Sequence, residues 1–99
     1  MHNNTVYVAG QVASDPSLGT KEQTQQVLEK IDKLLAGAGS DKSKLLSATV
    51  YIANMSTFAE MNAAWDAWVT PGQTPARATV EARLAQPKLL VEIMVIAAL

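Results

Sequence analysis

The sequence predicts an α+β domain with a mixed sheet and two helices on one face, in the order β-α-β-α-β-β. Three observations predict it. Apolar residues recur at helical spacing in two stretches, Val27 to Ala38 and Phe58 to Val69. Around them lie four short stretches with the period-two alternation, or the unbroken apolar run, of strands. The chain has 99 residues, the size of one domain, so residues 1–99 read as a single unit.

The first strand runs from Thr5 to Val12, with Val6, Val8 and Val12 on one side and Tyr7 and Gln11 on the other. Asn3-Asn4 ahead of it is turn chemistry. That turn has nothing before it to connect, so an N-terminal strand reads as missing from the pattern and the start as truncated or misassigned. Ser14, Asp15, Pro16, Ser17 and Gly19 make the next stretch a loop. Thr20 and Gln23 fit a capping box, in which a hydroxyl and an amide each satisfy a free backbone N–H. Val27, Leu28, Ile31, Leu34, Leu35 and Ala38 then form one stripe, and Gly37 and Gly39 stop the helix.

A second strand spans Leu45 to Ile52, with Leu46, Ala48, Val50 and Ile52 expected on one face. Thr57 and Glu60 fit a second capping box. Phe58, Met61, Trp65, Trp68 and Val69 make the stripe of a second helix, which Thr70-Pro71-Gly72 ends because the residue before proline avoids helical geometry. The third strand, Ala76 to Arg83, points Ala76, Ala78, Val80 and Ala82 one way and Arg77, Thr79, Glu81 and Arg83 the other. A short turn through Gln86-Pro87 leads to a last strand within Leu89 to Leu99. Strands joined through a helix should run parallel by right-handed crossovers. The last two, joined by a turn, should pair antiparallel.

The last strand is apolar on both faces, with Glu92 as its only charge. Such a strand is normally buried on both sides. Two helices can cover one face of a four-stranded sheet, so the other face needs a partner, and a second copy of the chain is the economical one. Composition agrees: charged residues make up 17% against roughly 25% in ordinary soluble domains, which leaves less polar surface to face water.

Composition also excludes chemistry. The net charge of −1 gives no basic excess to grip a phosphate backbone, so nucleic acid is not the expected partner. With no cysteine there is no disulfide, thiolate nucleophile or thiolate metal site. His2, the single histidine, sits at the N-terminus, badly placed for a serine triad. No apolar run is long enough for a membrane span and no signal peptide opens the chain, so a cytoplasmic protein without membrane contact is expected. Gly37-Ala38-Gly39 closes a helix, whereas phosphate loops open one.

What survives is Arg77, flanked by alanines, and Glu92, a carboxylate inside an apolar strand. A guanidinium in such a place can take a carboxylate in two parallel hydrogen bonds. Burying Glu92 unpaired would be costly, and a carboxylate there can position or activate a water. On spacing alone the two could equally pair with each other, or with Arg83 and Glu81.

Ala9-Gly10-Gln11, Glu22-Gln23-Thr24, Ala38-Gly39, Thr49-Val50-Tyr51, Met61-Asn62, Pro75-Ala76-Arg77-Ala78-Thr79-Val80 and Val91-Glu92-Ile93 follow one another in an order that resembles the Rid family, the reactive intermediate deaminases, also called the YjgF family. Ala64-Trp65-Asp66-Ala67-Trp68 is similar to the short YoaB-type branch. The resemblance covers essentially the whole chain, and its specific part is the Pro-Ala-Arg segment followed by Val-Glu-Ile. It implies a chorismate-mutase-like fold and a homotrimer with its sheets inward and clefts between subunits. It implies hydrolysis of reactive enamine or imine intermediates, such as 2-aminoacrylate, to 2-oxo acids and ammonia, with no metal or organic cofactor. By position, Arg77 matches the arginine that clamps the substrate carboxylate and Glu92 the acid that positions the attacking water. Thr79 and Gly10 sit where backbone lines the pocket, and Asn62 matches a polar residue near the cleft. The chain departs from the pattern at Ala9, where some members carry serine, and in the N-terminal segment whose tyrosine closes over the ligand. A trimer that binds 2-oxo acids without turnover, and a ribonuclease or translation inhibitor, are the competing readings.

Overall fold

The computed structural model describes residues 2–99. The elements are β1 (Thr5–Val12), α1 (Thr20–Gly37), β2 (Leu45–Ile52), α2 (Phe58–Trp68), β3 (Ala76–Glu81) and β4 (Val91–Ala98), with single 3₁₀ turns at Lys42–Lys44 and Met55–Thr57 leading into β2 and α2. They form an α+β fold with one mixed four-stranded sheet in the order β1-β4-β2-β3. β2 and β3 run parallel, as strands joined by a helix should, and β4 is antiparallel to both β1 and β2.

The expected pairing of the last two strands does not form. Residues 82–90 carry the chain past β2, so β4 lies between β1 and β2 and leaves β3 at the edge. The chemistry of the strands explains the order. β4 is apolar apart from Glu92 and gains most from a central place, whereas β3 alternates small and polar residues and tolerates an edge.

Val91, Ile93, Val95 and Ala97 of β4 point into one core with Val27, Leu28, Ile31 and Leu35 of α1 and Met61 and Trp65 of α2. Both helices therefore pack on one face. On the other face Met94 stands opposite Thr49, Ile96 opposite Ser47 and Tyr7, and Glu92 opposite Tyr51. There Tyr7 is 59%, Val80 43% and Met94 36% exposed, and among the described residues no helix covers them.

Two register shifts correct the expected facing of side chains. A shift between Leu45 and Ser47 puts Leu45 in the core and turns Leu46 out. A shift between Val8 and Gln11 sets Val12 opposite Glu92, away from the side that Val6 and Val8 share. A bulge adds one residue to one strand, and one residue is enough to flip everything after it.

Neither capping box forms. Gly19 is the N-cap of α1 and Thr57 that of α2, both without a side-chain cap bond. Gln23, fully buried, reaches back into the loops instead. Its Nε2 donates to the carbonyls of Leu18 (2.9 Å), Lys88 (2.9 Å) and Pro16 (3.3 Å), and its Oε1 accepts from the Leu90 N–H at 2.9 Å. One amide thus ties the loop before α1 to the residue that leads into β4. The glycine stop of α1 forms as expected. Gly39 takes φ +85°, the Ser40 N–H donates to the Leu35 carbonyl, and the Gly39 N–H donates to that of Ala36, the paired bonds of a Schellman end. Asn3 and Asn4 both have positive φ, and His2 and Thr5 exchange backbone hydrogen bonds of 2.9 and 3.0 Å, which makes a two-residue hairpin turn. The strand expected further upstream lies outside the described residues. No helix among the described residues is long and apolar enough to cross a membrane.

Candidate functional site

Arg77 stands opposite Ala48, a core residue, so its side chain leaves β3 on the helix-covered side. There α2 receives it. Phe58, Asn62 and Trp65 sit on one face of that helix because their spacings of four and three residues bring them into line. The guanidinium lies over the Trp65 ring at 5.2 Å and the Phe58 ring at 5.8 Å, within cation–π range. Its Nη1 donates to Asn62 Oδ1 at 2.8 Å, and Asn62 Nδ2 donates to Asp66 Oδ2 at 3.3 Å. Among the described residues Nε and Nη2 have no acceptor.

Thr79 follows on the same side of β3. Its Oγ1 is buried and has no hydrogen-bond partner among the described residues. Because β3 is the sheet edge, one row of its backbone groups also faces outward.

Glu92 belongs to the other face. Its side chain crosses the bulge of β1, where a Cβ added at Gly10 would collide with Oε2 and come within 2.9 Å of Cδ. Only glycine lets the carboxylate lie so close over the backbone. Tyr51 stands opposite Glu92 on β2.

The sequence-predicted residues therefore fall into two groups. Arg77, Asn62 and Thr79 come together on the helix side of the edge strand. Gly10 and Glu92 come together on the bare face. β2 lies between the strands that carry Arg77 and Glu92, so the two do not pair within one protomer. The alternative through Glu81 fails as well, because the Glu81 carboxylate accepts from the Met55 N–H at 2.9 Å while Arg77 donates to Asn62.

Phe58 and Trp65 were legible only as a helical stripe. Trp65 is core and also lines Arg77, and Phe58, 36% exposed, belongs to the site more than to the core. A cavity of about 670 Å³ opens elsewhere, under the β3–β4 connection between Glu81, Arg83, Leu84, Pro87, Leu89 and Ala53, and neither Arg77 nor Glu92 lines it. Among the described residues no three His, Asp or Glu side chains cluster as metal ligands.

A family model described as Endoribonuclease L-PSP matches residues 1–99. A RutC family protein of Haemophilus ducreyi is 54% identical over 99 residues, covering 100% of this chain and 85% of the relative. The RutC family protein YoaB of Escherichia coli is 47% identical over 98 residues, covering 99% and 85%. A crystal structure of a Pseudomonas aeruginosa protein superposes with a TM-score of 0.96 at 45% identity, covering 99% of this chain and 85% of that one. The Arg77 and Glu92 segments thus sit in a chain that is related to these proteins along its whole length, and the chain belongs to the Endoribonuclease L-PSP family, the Rid or YjgF family of its sequence pattern, near the YoaB-type branch.

Proposed function

We propose that the protein hydrolyses reactive imines and enamines that carry a carboxylate, such as 2-aminoacrylate, to 2-oxo acids and ammonia. The observation that carries this reading is the division of the site into two complementary halves. One half is a donor-only guanidinium with free N–H groups, the other a carboxylate laid over a glycine. A homotrimer that sets the Arg77 edge of one copy against the bare face of the next would bring the halves together in a cleft. The apolar side chains of that face, Tyr7, Val80 and Met94, support the association, since large exposed apolar patches are uncommon on monomers.

In such a cleft Arg77 takes the substrate carboxylate in two parallel bonds, and an outward backbone group near Thr79 adds a third contact. The imine carbon is then held near a water positioned by Glu92. An enamine first takes a proton from solvent on its terminal carbon and becomes the protonated imine. Water adds to the carbon of that C=N bond as Glu92 takes one of its protons, giving a neutral carbinolamine. Glu92 returns the proton to nitrogen, and the C–N bond breaks as the carbinolamine O–H proton passes to Glu92 and on to the departing ammonia, leaving the 2-oxo acid and ammonium.

The test is to generate imines in place with an amino acid oxidase and to trap with semicarbazide what remains unhydrolysed. Wild type should lower the trapped signal and Arg77→Ala should not. If neither lowers it across several amino acids while 2-oxo acids still shift the melting temperature, the cleft binds without turnover. The description of the matching family model favours a second reading, ribonuclease activity. The net charge of −1 weighs against it, because nonspecific RNA contact rests on cationic surface. Intact RNA after incubation with purified protein would remove it.

A further inference from the structure

We infer that Asp66 and Asn62 are positioning residues that fix which edge of the Arg77 guanidinium meets the substrate carboxylate. The inference rests on the proposed role of Arg77 and assigns Asn62 a different task from direct substrate contact.

The argument starts from what each group can do. A guanidinium only donates and a carboxylate only accepts. Asn62 stands between them, with one acceptor and one donor end. Asp66 Oδ2 takes the amide NH₂ at 3.3 Å, which leaves Asn62 Oδ1 to face Arg77 Nη1 at 2.8 Å. Both contacts are allowed in that orientation, and neither is allowed if the amide is flipped. Asp66 lies one helical turn beyond Asn62 on α2, a spacing at which such side chains meet. Without Asp66 the bond to Arg77 alone holds the amide, and its NH₂ end loses the acceptor that anchors it to α2.

The constraints on Arg77 are of two kinds. The rings of Trp65 and Phe58, 5.2 and 5.8 Å from the guanidinium carbon, limit movement of the charged group against them. The bond to Asn62 restrains its rotation by engaging one of the two N–H bonds of Nη1. The edge left wholly open is that of Nε and Nη2, whose N–H bonds run parallel and match the two oxygens of a carboxylate. The substrate is thus gripped on that edge, and both ends of the Asn62 amide are spent on holding it in place. Orientation matters because a small misplacement of a bound group costs a large factor in reactivity.

The experiment compares wild type, Asp66→Ala, Asp66→Asn and Arg77→Ala, with pyruvate as a stable carboxylate probe. Binding is measured by calorimetry and by the fluorescence of the tryptophans, one of which, Trp65, touches the site. Hydrolysis is split into kcat and KM, and the side-chain amide resonance of Asn62 is followed by NMR. Asp66→Ala should weaken pyruvate binding and raise KM by about three- to tenfold, the worth of one ordinary hydrogen bond, and should shift the Asn62 amide resonance. Asp66→Asn keeps an acceptor and should restore all three. Asp66 is exposed, so the melting temperature should not move. If Asp66→Ala binds pyruvate like wild type while Arg77→Ala does not, the positioning role is wrong and the clamp stands. If Arg77→Ala also binds like wild type, the clamp itself is wrong and the inference falls with it.

Discussion

On one face of β4, Val91, Ile93, Val95 and Ala97 are all but completely buried. On the other, Met94 is 36% exposed and Glu92, Ile96 and Ala98 are only half-buried. The sequence makes the two faces nearly alike, apart from Glu92. What separates them is the helix layer: α1 and α2 pack against the first face, and among the described residues no further α-helix covers the second. Apolar side chains on a central strand therefore record how much cover the strand needs. They do not record whether one chain supplies it. The candidate chemistry follows the same division, since Arg77 lies on the covered side of the edge strand and Glu92 on the bare side of β4.

The comparison is sharpened most by truncating neighbours on the two faces. Ile93→Ala should destabilise the protomer by about 2–5 kcal/mol, the usual cost of emptying a buried aliphatic site. Met94→Ala should cost well under half as much in urea unfolding at low protein concentration. Met94→Glu should leave the protomer folded yet reduce its assembly in sedimentation equilibrium, because a charge on a buried interface resists desolvation. Equal losses from Ile93→Ala and Met94→Ala at every protein concentration would break the comparison.

The elements were legible because their signals are local. Helical stripes, alternation in β3 and the turn residues Asn3-Asn4 and Gly39 each act over a few positions and landed close to where the pattern put them, although Leu34 and Phe58 of the two stripes are exposed and β3 stops at Glu81, short of the expected Arg83. Strand order was not legible, since the Gln86-Pro87 turn signal says nothing of which strand comes next in the sheet. The bulges at Ala9-Gly10 and Leu46 escaped because one extra residue leaves no periodic trace. The site was legible in its residues and not in its arrangement. Arg77 and Glu92 stood out as isolated charges among small or apolar neighbours. That they occupy opposite faces depends on strand order. The contact of Arg77 with Phe58, Asn62 and Trp65 depends on how α2 lies over β3, which no spacing within either segment reveals.

Gln23 gives the next largest effect, because it fixes where β4 begins. Its amide donates to loop carbonyls on both sides and accepts from the Leu90 N–H. Gln23→Ala should cost about 2–3 kcal/mol, since it leaves buried backbone groups unpaired. Hydrogen exchange should speed up at Leu90 and along both faces of β4 together. Faster exchange confined to α1 would show that the amide serves only the helix start.

Acid provides the smallest and most discriminating test. Asp15 and Asp41 are both held below the ordinary carboxylate value, first by hydrogen bonds from the hydroxyls of Ser17 and Ser43 and then by the backbone N–H groups of the same residues. A depressed folded pKa stabilises the fold above the unfolded pKa, 3.8 as the reference for both groups. That contribution is lost as the pH falls from there through the folded values. Both groups are fully exposed, so the change is small and screened by salt. Ser43→Ala should move the Asp41 titration, followed by carboxyl carbon NMR, up toward its ordinary value. This loss arises within one chain, in the loops on either side of α1, and so should not depend on protein concentration. Dissociation at the bare face must depend on it. Acid unfolding at several protein concentrations therefore separates the two. A midpoint that climbs as the protein is diluted would place the acid-sensitive step at the bare face of β4 and outside these loops.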